Sequence, residues 1–125
     1  MSQIRLEPGK LLNKKGRLTQ FGYATEPIKI YDRQDIKTGK LHIKEWDYYL
    51  VYNKDFGIAL TIADNGYMGL ISASFLDFIT GEVQTISPMK LMTLGKLGMP
   101  SSSETGDIHY KDDKLEIHFT HENGA

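Results

Sequence analysis

Two carboxylates and four aromatic side chains crowd into Glu45-Trp46-Asp47-Tyr48-Tyr49-Leu50-Val51-Tyr52. In an extended segment, side chains alternate between faces. Trp46, Tyr48 and Tyr52 then share one face, and Glu45 and Asp47 share the other, with Tyr49 next along it. Aromatic rings with polar tips suit a concave apolar site, because the ring packs while the hydroxyl or indole N–H orients a ligand. Trp46, Tyr48 and Tyr52 are therefore the ligand-binding candidates. They serve equally as ordinary core between two layers, since strands are rich in aromatics. Glu45 and Asp47 are the catalytic candidates. Burial and like-charge proximity would drive their pKa values apart, as an acid/base pair needs. The competing reading is a solvated strand end, or a pair satisfied by lysines.

Other chemistry is sparse. Asp64, beside Asn65-Gly66, reads as a turn acid. The histidines are His42, His109, His118 and His121. A two-residue turn at Asp112-Asp113 would set His109 opposite Glu116, with His118 diagonal to it. That patch lies on the wet face of an edge hairpin with nothing to orient its ligands, so no metal is expected, and no cofactor either. The absence of cysteine excludes disulfides, thiolate zinc sites and cysteine nucleophiles. There is no P-loop, no dinucleotide fingerprint and no Gly-x-Ser-x-Gly elbow. Ser72-Ala73-Ser74 has no identifiable base. Fifteen Lys and Arg against sixteen Asp and Glu give a net charge of −1. With no basic stripe beside the aromatics, nucleic acid is not an expected partner. Lys14, Lys15 and Arg17 read as a solvated loop.

The elements that must position these groups are strands. The 125 residues allow one domain at most. Residues 1–27 form an irregular lead-in punctuated by Gly and Pro. Residues 28–125 read as an antiparallel β domain. Runs at Ile28–Asp32, Leu41–Asn53, Ile58–Asp64, Tyr67–Phe78, Glu82–Ile86, Asp107–Lys111 and Lys114–His121 are separated by turn signals. Asn65-Gly66 predicts a type I′ hairpin pairing Asp64 with Tyr67 and Ile62 with Gly69. Pro88 ends a strand or marks an edge. Met89–Gly98 is expected to be irregular or extended. The fold class is all-β: an antiparallel meander forming an up-and-down sheet, partial barrel or sandwich. No run approaches the ~20 apolar residues of a membrane helix. Met1–Pro8 lacks a leader's apolar region. A soluble cytoplasmic protein is the expectation.

Two features point to an unfinished surface. Leu41–Asn53 and Tyr67–Phe78 are apolar on both faces, whereas a sheet with one wet side alternates. Something should cover the second face. Second, Asn123-Gly124 follows an alternating strand as a hairpin signal with no returning strand, which predicts a chain cut within a larger β protein. These features support an apolar small-molecule ligand first. The alternatives are an enzyme acting on a hydrophobic substrate through Asp47 or Glu45, and a homodimer formed through the apolar face or an edge strand. The residues favour a binding protein over an enzyme.

Lys44-Glu45-Trp46-Asp47-Tyr48-Tyr49 and Ile62-Ala63-Asp64-Asn65-Gly66-Tyr67-Met68-Gly69 resemble the uncharacterised domain-of-unknown-function 2804 family. Gly16-Arg17-Leu18, Gly22-Tyr23-Ala24 and Leu97-Gly98-Met99-Pro100 are similar to its other segments. The resemblance covers most of residues 10–120, and the Trp-Asp-Tyr-Tyr strand is its most specific piece. Because members of this family are much longer, it implies an N-terminal portion. It brings no activity. By fold-level analogy alone it points to lipocalin-like proteins that act on or carry lipids and terpenoids.

Overall fold

The computed structural model describes residues 3–122, so the Asn123-Gly124 turn signal lies outside the described residues. The strands are β1 (Gly9–Lys10), β2 (Lys29–Ile30), β3 (Glu45–Tyr52), β4 (Phe56–Asp64), β5 (Met68–Asp77), β6 (Val83–Ile86), β7 (Met89–Leu91), β8 (Ile108–Lys111) and β9 (Glu116–Phe119). Among the described residues, helix is limited to single 3-10 turns at Arg33–Asp35 and Lys40–His42. The second of these shortens the expected strand from Leu41, which starts instead at Glu45. The chain there must bend around the β4–β5 turn. A Cβ on Gly66 would lie 2.3 Å from the Lys40 carbonyl oxygen.

The main sheet is an antiparallel meander, β3-β4-β5-β6, with β7 also on β5. β6 and β7 are one edge strand interrupted at Pro88: Ala73 faces Ile86 and Leu70 faces Met89 in one continuous register. The Ile71 N–H still reaches the Pro88 carbonyl at 3.1 Å. Pro88 has no N–H to return, so the ladder breaks where an edge tolerates it. The sheet is open and antiparallel. The lead-in is tied on by the parallel pairing of β1 with β2.

Two hairpin registers differ from the expectation by two residues. Asp64 faces Gly69 and Ile62 faces Ile71, while His109 faces His118 and Lys111 faces Glu116. The reason is the place of the acid in the turn. Asp112 is the residue before the turn, not within it, and its Oδ1 accepts the N–H groups of Lys114 and Leu115, both at 2.8 Å. Asn53 and Asp77 act the same way at the β3–β4 and β5–β6 turns. Asx residues favour that first position because the side chain caps the following N–H groups. At the β4–β5 turn, Asp64 takes the Gly66 N–H at 3.0 Å. Gly66 has φ +78, and Tyr67 N–H bonds back to the Asn65 carbonyl at 3.0 Å. A slip of two residues leaves every side chain on its own face, so the predicted faces stand.

The β8–β9 hairpin lies across one face of the sheet. Its Ile108, Tyr110, Ile117 and Phe119 join Ile62 and Ile71 in the buried core, with Tyr49, Leu60, Leu97 and Met99 around them. Burying each such side chain contributes about 1.5–3 kcal/mol. On the same face beyond the hairpin, Phe56 and Phe75 stack at 5.6 Å in the open. The opposite face has no cover within the described residues: Trp46 is 64% exposed and Phe78 47%.

Asp64 is fully buried at 0% exposure. Besides Gly66, its carboxylate takes the Thr93 hydroxyl at 2.7 Å and the Leu97 N–H at 3.3 Å. It thereby pins the segment after β7, in which Met92 and Leu94 adopt φ of 54° and 53°. Side chains there cost about 1–2 kcal/mol each. Gly69 leaves room for the arrangement, since a Cβ at that position would meet Thr93 at 2.7 Å. Burial pushes the Asp64 carboxyl up, but bonds from Thr93, Gly66, Gly95 and Leu97 outweigh it and hold the pKa below the ordinary value. A depressed carboxylate pKa contributes stability above the unfolded pKa that is lost as pH falls through the folded one. Asp64→Ala should therefore lose about 3 kcal/mol in urea unfolding at pH 7. Its stability should also fall less than that of the natural chain as pH drops below about 4.

Candidate functional site

A surface cavity of about 420 Å³ opens at the acidic end of β3, walled by the 36–47 stretch and by Met99–Ser103. Such a volume lies within the roughly 300–1,000 Å³ of small-molecule sites. Ile36, Ile43, Met99 and Pro100 supply apolar walls, and Tyr31, His42, Glu45 and Asp47 supply polar groups. Met99–Ser103 reaches this place because Asp64 anchors the chain just before it, at Leu97.

Glu45 and Asp47 both line the cavity, as does Trp46. Tyr48 and Tyr52 do not: they stand on the uncovered face at 55% and 69% exposure. The aromatic face and the cavity are thus different places, joined only at Trp46. The face is open because the hairpin covers the opposite side of the sheet.

The two carboxylates have different environments. Glu45 accepts the Tyr31 hydroxyl on Oε1 and pairs with the Arg33 guanidinium through Oε2. Its side chain is 9% exposed. The Asp47 carboxyl has no hydrogen bond or ion pair among the described residues, and the residue is half-buried. Burial raises its pKa, and the nearby His121 opposes that shift. Both oxygens of Glu45 are thus engaged by Tyr31 and Arg33, whereas the Asp47 carboxyl has no side-chain partner among the described residues.

Past Asp47, Tyr49 meets the end of β9. Its ring packs on Phe119 at 4.6 Å and its hydroxyl lies 3.0 Å from His121 Nε2. The Gly106 carbonyl accepts the His121 Nδ1–H at 2.8 Å. Burial, then the Asp47 charge, raises the Tyr49 pKa. A second cavity of about 390 Å³ follows, lined by Val51, Leu60, Phe119 and His121, and it shares Ser103 with the first.

His109 and His118 stand on the outer face of the hairpin, rings 5.2 Å apart, with His109 Nε2 at 2.9 Å from Glu116. Lys111 takes the other Glu116 oxygen at 2.9 Å. Among the described residues no group of three or more such side chains is arranged to hold a metal ion. Tyr31, Arg33, His121 and Met99–Ser103 were not legible as site residues. Their partners lie 12 to 72 positions away in the chain, and no local pattern encodes such distances.

The fold and site define an open antiparallel β-sheet protein with a mixed apolar and acidic cavity at one edge strand. The chain matches the family Domain of unknown function (DUF2804) over residues 2–125 and belongs to that family. No curated protein and no solved structure matches it. Among the described residues, no helix is long and apolar enough to cross a membrane.

Because Glu45 is nearly buried, removing its cation leaves a poorly compensated charge. Arg33→Ala should lower stability by about 2 kcal/mol, less than for a fully buried pair because Arg33 is partly exposed. A double-mutant cycle with Glu45→Gln checks it: the coupling should account for most of that loss.

Proposed function

We propose that this domain binds a small, largely apolar molecule in the cavity beside β3 and is not itself a catalyst. The observation that carries the reading is the juxtaposition of Ile36, Ile43, Met99 and Pro100 with the unpaired Asp47 in one cavity of about 420 Å³. Apolar walls supply affinity, and a polar group supplies orientation. The chain's single tryptophan, Trp46, lines this cavity and reports on it. Titration with a medium-chain fatty alcohol or an isoprenoid alcohol should shift Trp46 emission to the blue, saturably and with one site per chain. Met99→Asp should weaken the response at least tenfold. An emission spectrum unmoved by any such compound would remove the reading.

The outer edge of β3 supports a second reading, self-association. Tyr48, Leu50, Val51 and Tyr52 are exposed on both faces of this strand. The strand carries neither the lysine nor the proline that usually protects an edge. Sedimentation at high micromolar concentration should show a dimer, and Val51→Lys should return it to monomer.

A further inference from the structure

We infer that the cavity prefers a cationic head group, a protonated primary amine on an extended apolar chain, with the amine on Asp47 and the chain running along β3 toward Val51. The inference rests on the binding reading above and names the ligand class.

Three observations carry it. Asp47 is a half-buried carboxylate whose oxygens have no protein partner among the described residues, although it faces a cavity. A desolvated carboxylate gains most from a donor that also brings positive charge, because charge-assisted hydrogen bonds are roughly twice as strong as neutral ones. The neighbouring acid does not compete, since Tyr31 and Arg33 occupy both oxygens of Glu45. Finally, apolar side chains lie beyond Asp47 along β3: Val51, Leu60 and Phe119 line the second cavity, together with the polar Glu104, His118, Thr120 and His121, and Ser103 lines both cavities.

The other charged or titratable groups lining the two cavities are Tyr31, His42 and Lys44 ahead of β3, Tyr49 on β3, Glu104 in the loop, and His118 and His121 at the end of β9. None is joined to Asp47 by an ion pair among the described residues. Lys44 and Glu104 are exposed and solvated. The His121 imidazole is held between Gly106 and Tyr49. Burial also pushes the Asp47 carboxyl up, as expected of a group that has exchanged water for an incomplete shell. An anionic head group would set two like charges together in a partly dry site, which is disfavoured.

The test titrates the full chain with decylamine, 1-decanol and decanoate, each below its micellar concentration at pH 7. Trp46 emission and backbone amide chemical shifts are the readouts. Decylamine should bind at least tenfold more tightly than decanoate, with decanol between them, and shifts should extend from Asp47 to Val51 and Phe119. Asp47→Asn, nearly isosteric, should bring the amine-to-carboxylate ratio to within about twofold, with the urea midpoint confirming the fold. Glu82→Gln, which removes an exposed carboxylate that lines neither cavity, should leave the ratio unchanged. The inference is overturned if decanoate binds as well as decylamine, if the ratio survives Asp47→Asn, or if Glu82→Gln lowers it equally. Binding of all three without charge discrimination removes only the amine preference. Failure of all three to bind removes the binding reading and this inference with it.

Discussion

The buried carboxylate of Asp64 holds together pieces of chain that have little other reason to meet. It closes the β4–β5 turn through Gly66 and fastens the segment after β7 through Thr93 and Leu97. That segment runs through two non-glycine residues in left-handed conformation, a path the backbone does not choose unaided. Met92 and Leu94 also donate N–H groups to the Tyr67 and Gly66 carbonyls. Everything downstream inherits its position from this knot. Met99–Ser103 becomes a cavity wall, and the β8–β9 hairpin is delivered onto Ile62 and Ile71. An uncompensated carboxylate at that depth would be costly. Its donors make it a fastener.

Beside it across β3 and β4 lies a second buried acid, since Glu45 is the cross-strand partner of Asp64. Two carboxylates so close would repel unless each had its own donors. Hydroxyl and backbone N–H groups satisfy Asp64, and Tyr31 and Arg33 satisfy Glu45. Arg33 in turn lies over Gly95, where a Cβ would sit 2.7 Å from the guanidinium carbon. The strained segment, both acids and the arginine therefore form one polar layer capping the hydrophobic core. Asp47, two residues further along, is the first acid on this face that the layer leaves unpaired. A binding site placed there uses a scaffold already rigid on one side.

The faces of the strands were readable because alternation at period two is a local property. Glu45, Asp47 and Tyr49 do share a side, and Trp46, Tyr48 and Tyr52 do share the other. The requirement for cover is met on part of one face by the hairpin and not on the other. The turns were legible as turns but not in register. Asn65-Gly66 and Asp112-Asp113 are strong signals for loop residues, yet an Asx residue also caps from the position before a turn, and in this chain that role prevails. The 3-10 turn at Lys40–His42 was hidden for another reason: it answers to the Gly66 turn packed against it, some two dozen residues away.

The sequence by itself determined the class of fold, the existence and facing of the long strands, and the segment that carries the cavity's acids. These follow from side-chain period, turn chemistry and absent residue types, all of which act within a few positions. Only the tertiary structure decided which acid is tied and which is unpaired. Arg33 reaches Glu45 across 12 residues and His121 reaches Tyr49 across 72. A carboxylate's chemistry depends on the groups that meet it in space, and those are set by packing.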